Sequence, residues 1–264
     1  MRDEKCFNCG RAAPGLWGFA PAINRIAKDV SFGELVLFGC VILFVISLAL
    51  RPSAIQESRG FFGLLSPGTG EVWLLGASGA IPIFRDGRWW TVLSAAWLHG
   101  SLLHIAFNMY WIRSLASQII EILGLGRTVI VYTAGAAFGF LGTSIMYLLP
   151  LPGGAPLTLG ASASLCGLVG GLYAYGRRSG SSVIRDYVMR FAISMAVIGF
   201  LMRGVIDNWA HLFGFLGGFV VAQALKPLED EGPLHLVGAF LCLLAFAAAI
   251  ALSVLDGLPL YRAS

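Results

Sequence analysis

The sequence predicts an all-α polytopic membrane protein with about seven transmembrane helices. Of its 264 residues, 57% are hydrophobic and 12% charged, and the mean hydropathy of +0.79 lies well above that of a soluble domain. The apolar residues gather into runs near the roughly 20 residues that cross a bilayer at ~1.5 Å per residue. Charged or turn residues close these runs, as at Arg51-Pro52, Arg177-Arg178 and Lys226-Pro227. Spans fill the chain and leave no room for a large soluble catalytic domain. Any chemistry must sit inside the bundle.

Residues 1–31 are mixed and polar, loop-like around Pro14, Gly15 and Gly18, and lack the apolar core of a cleavable signal peptide. They carry a C-x2-C pair, Cys6 and Cys9. A structural zinc site usually takes four ligands, so this pair offers half of one, and no metal is assigned. Cys40, Cys166 and Cys242 fall in apolar runs and read as packed thiols.

The first span is Phe32 to Leu50. Residues 51–89 hold an apolar patch from Val72 to Phe84, broken by Gly76, Gly79 and Pro82, which reads as a long loop dipping into the interface. Trp89-Trp90 fit an interfacial aromatic belt. The second span is read as Thr91 to Leu115, followed by a polar link containing Gln118 and Glu121. The remaining spans are Val129 to Leu149, Leu159 to Tyr175, Tyr187 to Leu201, Asn208 to Leu225 and Leu234 to Leu255.

Charge sets the expected topology. With the N-terminal head inside, twelve of the 18 lysines and arginines fall in inside segments. Six fall outside: Arg51, Arg59, Arg85, Arg88, Arg203 and Arg262. This two-to-one bias puts the N-terminus in the cytoplasm. The net charge of +4 is spread over loops and gives no nucleic-acid patch. The lipid bilayer is the expected surrounding.

Polar residues inside spans need partners, because an unpaired polar group in lipid is costly. His104 and Asn108 are four apart and share one helical face. Ser162 and His211 open two later spans, and under this topology His104, Ser162 and His211 lie at similar depth. A serine hydroxyl needs a base to become a nucleophile, and His211 is the candidate. His104, Asn108 and the Ser162 backbone N–H are candidate oxyanion donors. Asp207 stands one turn from His211, at the rim, which leaves a Ser-His dyad as the main reading. Gly160, Gly167, Gly214 and Gly218 thin the helices around the site for close packing. His99 reads as interfacial or structural, Ser164 as bonded to its own helix, and Asn208 as a helix-start residue.

With these motifs assembled, the chain resembles the rhomboid family of intramembrane serine proteases, in its bacterial form. The resemblance rests on Trp89-Trp90, on H-x4-H-x3-N-M from His99 to Met109, on G-x-S at Gly160 to Ser162, and on A-H-x2-G-x3-G from Ala210 to Gly218. It covers roughly residues 88–224. It implies a rhomboid-like bundle with a six-span core at 32–228, a membrane-embedded first loop at 51–88, and a linker and seventh span at 229–264. It implies Ser162 as nucleophile, His211 as base and His104 and Asn108 at the oxyanion site, with no cofactor. Substrates would be single-span membrane proteins cut near the outer face of the bacterial inner membrane; the sequence gives no oligomeric state.

Three positions depart from the family pattern. Ala163 stands where Gly is usual and is expected to crowd the oxyanion site. Cys166 replaces an aromatic that stacks on the imidazole. Thr91 replaces a basic residue and is expected to loosen the first loop. The competing reading is a catalytically weak or inactive rhomboid-like protein that binds transmembrane helices. A transporter is disfavoured, because no charge lies deep in the spans and no internal repeat is visible.

Overall fold

The computed structural model describes residues 31–54, 60, 63–150, 152–202 and 205–263. The head carrying Cys6 and Cys9 lies outside these. Among the described residues the fold is all-helical, with one isolated β-bridge between Ser78 and Thr158.

Helix α1, Phe32–Leu50, starts on a capping box: the Ser31 hydroxyl accepts from the Glu34 N–H, and the Glu34 carboxylate accepts from the Ser31 N–H. It buries Phe32, Val36, Cys40, Phe44 and Ser47, a stripe at helical spacing, against a later helix. The following loop includes α2, Thr69–Leu74, and a π-helical turn at Ile81–Arg85, both far too short to cross a bilayer.

The second span begins later than its hydropathy implies. Residues Thr91–Ser94 (α3) and a 3-10 turn at Ala95–Trp97 precede a break, in which Leu98 and Ser101 are extended. Helix α4 then runs Leu102–Leu123, capped by the Ser101 hydroxyl accepting from the His104 N–H. Local capping chemistry at Ser101 ends the apolar continuity that predicted one helix from Thr91. Gln118 and Glu121 are not a link: they lie on the exposed face of α4. The true link is Gly124 alone, whose φ of +87° turns the chain directly into α5, Leu125–Leu148.

Helices α6 (Ser162–Ser179), α7 (Ser182–Leu201), α8 (Asn208–Ala224) and α9 (Pro233–Ala263) complete the fold. Three of the helices, α1, α5 and α9, are long and apolar enough to cross a membrane by length and composition. The others are shorter or more polar.

Helix α5 is the central post, buried on most of its circumference. It packs on α6 and α8, which share the most extensive contact in the chain. Helix α7 is the opposite case, with only Val188 and Gly199 buried, and it leans mainly on α6. Helix α9 lies against α5, α3 and α2. Its leading linker is held by Arg127, which donates to the carbonyls of Leu225, Leu123 and Asp230, while Glu231 accepts from the Arg127 N–H.

Candidate active site

Ser162 is the first residue of α6, where the opening N–H groups have no intrahelical acceptor and the helix dipole is positive. His211 lies in the first turn of α8. Its Nε2 sits 2.8 Å from the Ser162 Oγ. Both side chains are half-buried.

Main-chain packing brings them together. A Cβ on Gly214 would meet the Ala163 carbonyl, and one on Gly218 the Gly167 carbonyl, so α8 lies directly on the backbone of α6. Gly167 also faces α5, where a Cβ would come 2.6 Å from the Cα of Gly135. Gly160 plays a different part from helix packing. Its φ is +129°, and a Cβ there would lie 2.7 Å from the His104 Nε2. Glycine is therefore required twice over, by backbone and by the imidazole.

The Gly100 N–H donates to His104 Nδ1 at 3.4 Å, which puts the proton of the neutral ring on Nε2, the nitrogen facing Gly160. Asn108 is buried, and its Nδ2 donates to the His104 carbonyl at 2.9 Å. One amide hydrogen remains. The Ser162 N–H, at the start of α6, likewise has no intrahelical acceptor.

Several sequence expectations need correction. Of the two readings of His99, interfacial or structural, the second holds: it is buried, its ring edge-on to His104 with centroids 5.1 Å apart, and neither nitrogen has a hydrogen-bond partner among the described residues. The spacing of five between His99 and His104 hid this contact, which depends on the break before α4. Ser164 is buried without returning its hydroxyl to its own helix. Asn208 does start α8 as its first residue, as expected; the cap is Asp207, accepting from the Ala210 N–H, while Asn208 donates to the Gly199 carbonyl of α7.

Ala163 points away from the serine. Its methyl meets α5 at Gly139, where an added Cβ would be 2.9 Å away, so the extra carbon is absorbed by a missing one. Thr91 does not loosen the loop either. It bonds Ser78 and the Arg88 carbonyl, while the Arg88 guanidinium, three residues earlier, grips the carbonyls of Trp73 and Ser253.

Asp207 makes no hydrogen bond to His211, whose Nδ1 is unpaired. The Asp207 Oδ1 is occupied by the α8 cap and by the Thr143 hydroxyl. Burial pushes its carboxyl above the usual value, against those hydrogen bonds. A raised folded value favours the folded state at pH below the ordinary 3.8, and that contribution is lost as pH rises through the raised value. Asp207→Asn keeps a good cap and removes the buried charge. It is expected to raise the thermal midpoint at pH 7–8, with the gain shrinking as the pH is lowered. Unfolding scans across pH check this.

The model of the rhomboid domain matches residues 86–228, more than half of the chain and the whole of the site. The chain belongs to the rhomboid family. It is 29% identical over 196 residues to Rhomboid-like protease 3 of Toxoplasma gondii, covering 72% of this chain and 68% of that protein. It is 28% identical over 151 residues to Rhomboid protease GluP of Bacillus subtilis, covering 54% of this chain but only 27% of GluP. Putative rhomboid protease YdcA of the same bacterium is 28% identical over 140 residues, 52% of this chain and 67% of that protein. This rhomboid is thus a multi-pass membrane protein of a protease family. Among the described residues, no group of three or more His, Cys, Asp or Glu is placed to hold a metal.

Proposed function

We propose that this rhomboid is a serine endopeptidase that cuts single-span membrane proteins within or near the bilayer by a Ser162–His211 dyad. The 2.8 Å approach of His211 Nε2 to Ser162 Oγ carries the reading. Seven helices, α1 and α4–α9, are the proposed spans, with the head cytoplasmic and the site toward the outer face of a bacterial inner membrane.

His211 takes the Ser162 proton on Nε2 as Oγ attacks the scissile carbonyl. The oxyanion then accepts hydrogen bonds from the Ser162 N–H, His104 Nε2–H and Asn108. Collapse breaks the C–N bond, and His211 returns the proton to the leaving amine. Water attacks the acyl-enzyme ester with His211 again as base, releasing the acid and restoring the hydroxyl. No step needs a metal or cofactor.

His211 acts here without a carboxylate on Nδ1; accepting from the Ser162 hydroxyl at Nε2 leaves the proton of the neutral ring on Nδ1. An apolar groove of about 500 Å³ between α4 and α7, lined by Phe107, Trp111 and Phe191, supports substrate arrival from the membrane side.

The test is cleavage of a single-span substrate by purified protein in liposomes, with a serine-directed fluorophosphonate to trap Ser162. A wild type that binds substrate yet neither cuts it nor takes the label would establish the inactive helix-binding reading instead. His104→Ala and Asn108→Ala are each expected to lower kcat by about 10²–10³-fold, since oxyanion donors act on the transition state. KM should change much less in steady-state kinetics.

A further inference from the structure

The loop before the site and the last helix meet through polar groups that nothing in the dyad chemistry uses. The Arg88 side chain is 1% exposed. Its guanidinium stacks on Trp73 at 4.0 Å and donates to the Trp73 carbonyl at 2.7 Å and the Ser253 carbonyl at 2.6 Å. Its Nε pairs with Asp256 at 3.1 Å. Trp90 Nε1 donates to the Ser253 hydroxyl at 3.1 Å. Glu71 accepts from the Tyr261 hydroxyl at 2.8 Å. Gly257 lets α9 approach this closely: a Cβ there would be 3.1 Å from Trp73 and 3.3 Å from Arg88.

From α9 the contacts run on toward the serine. Gly76, with φ +103°, is wedged against the hydroxyls of Ser94 and Ser253, and Ser94 donates to its carbonyl at 2.8 Å. Two residues later, Ser78 exchanges both backbone hydrogen bonds with Thr158, at 2.9 and 2.7 Å. Ala80 and Ile81 donate to the carbonyls of Ala155 and Pro156. The Gly160 N–H donates to the Ala95 carbonyl. Ser162 follows two residues on. The segment that delivers the nucleophile is therefore clamped on one side by residues 76–95, and those residues are anchored on α9.

We propose that Ser253 and Asp256 of α9 are positioning residues for Ser162, acting through Arg88, Trp90 and the Ser78–Thr158 pairing. The seventh helix is then part of the catalytic apparatus, although it contributes no reacting group. The inference rests on the proposed protease reading only for its kinetic readout.

The experiment uses the full chain in liposomes. Asp256→Asn, Ser253→Ala and the double variant are compared with wild type and with Arg127→Gln, which loosens the opposite end of α9. The readouts are kcat and KM on a single-span substrate, the rate of Ser162 labelling, and amide exchange at Ser78, Ala80, Ile81 and Thr158. The double variant is expected to lose about tenfold or more in kcat and in labelling rate, with KM within about twofold, because small displacements of a nucleophile are costly. Exchange at the four amides should quicken, and Asp256→Glu, which keeps the carboxylate, should retain more of the wild-type rate than Asp256→Asn. Arg127→Gln should lower the thermal midpoint yet leave those amides and the labelling rate of folded protein unchanged.

Equal losses in the Arg127 and α9 variants would reduce α9 to general support and overturn the proposal. Unchanged exchange at the four amides would also overturn it. If wild type itself neither cuts nor labels, the protease reading fails, and the exchange data still decide whether α9 holds the segment.

Discussion

Ser162→Ala and His211→Ala are each expected to cut the cleavage rate by about 10⁴-fold or more, with the double variant scarcely worse than either. The nucleophile and its base act as one unit, so their losses do not add. Neither substitution should disturb folding, because both side chains are half-buried and the helices meet through glycines rather than through the dyad. Cleavage assays beside thermal unfolding separate the two effects. A Ser162→Ala protein that retains cleavage would move the nucleophile elsewhere.

Gly218→Val is expected to destabilise the bundle by about 3 kcal/mol, at the upper end for overpacking. The new side chain would press on the Gly167 carbonyl, which is main chain and has no rotamer to escape into. Restoring space means parting α6 from α8, and that widens the Ser162–His211 gap, so activity should fall even at temperatures where the protein stays folded. Gly232→Ala is the control, since a Cβ there meets nothing within 4 Å. Unfolding midpoints and cleavage at low temperature check both. A Gly218→Val protein of wild-type stability and rate would contradict the backbone contact.

Much of the fold is legible in the sequence because hydropathy and glycine spacing are local signals. The all-helical membrane class and most helix positions follow from them, while the family is legible in the motifs from Trp89 to Gly218. What escapes the sequence is set by local geometry or by distant partners. The start of α4 depends on Ser101 capping, against an apolar run that looks continuous from Thr91. The burial of His99 against His104 follows from that same break. The fate of Ala163 depends on Gly139, 24 positions earlier, and no pattern within α6 reveals it. Arg88 reads in the sequence only as a topology charge, because its partners Ser253 and Asp256 are more than 160 residues away.

The contact of α6 with α8 through bare main chain divides the labour of the molecule. Where the two helices cross, the approach of nucleophile to base is governed by carbonyls and α-carbons, which have no rotamers to change. The side chains of α4 and α7 that line the groove, such as Phe107, Trp111 and Phe191, carry none of that constraint and are free to change. Substrate preference can then drift along the groove over evolutionary time while the reacting pair stays in register.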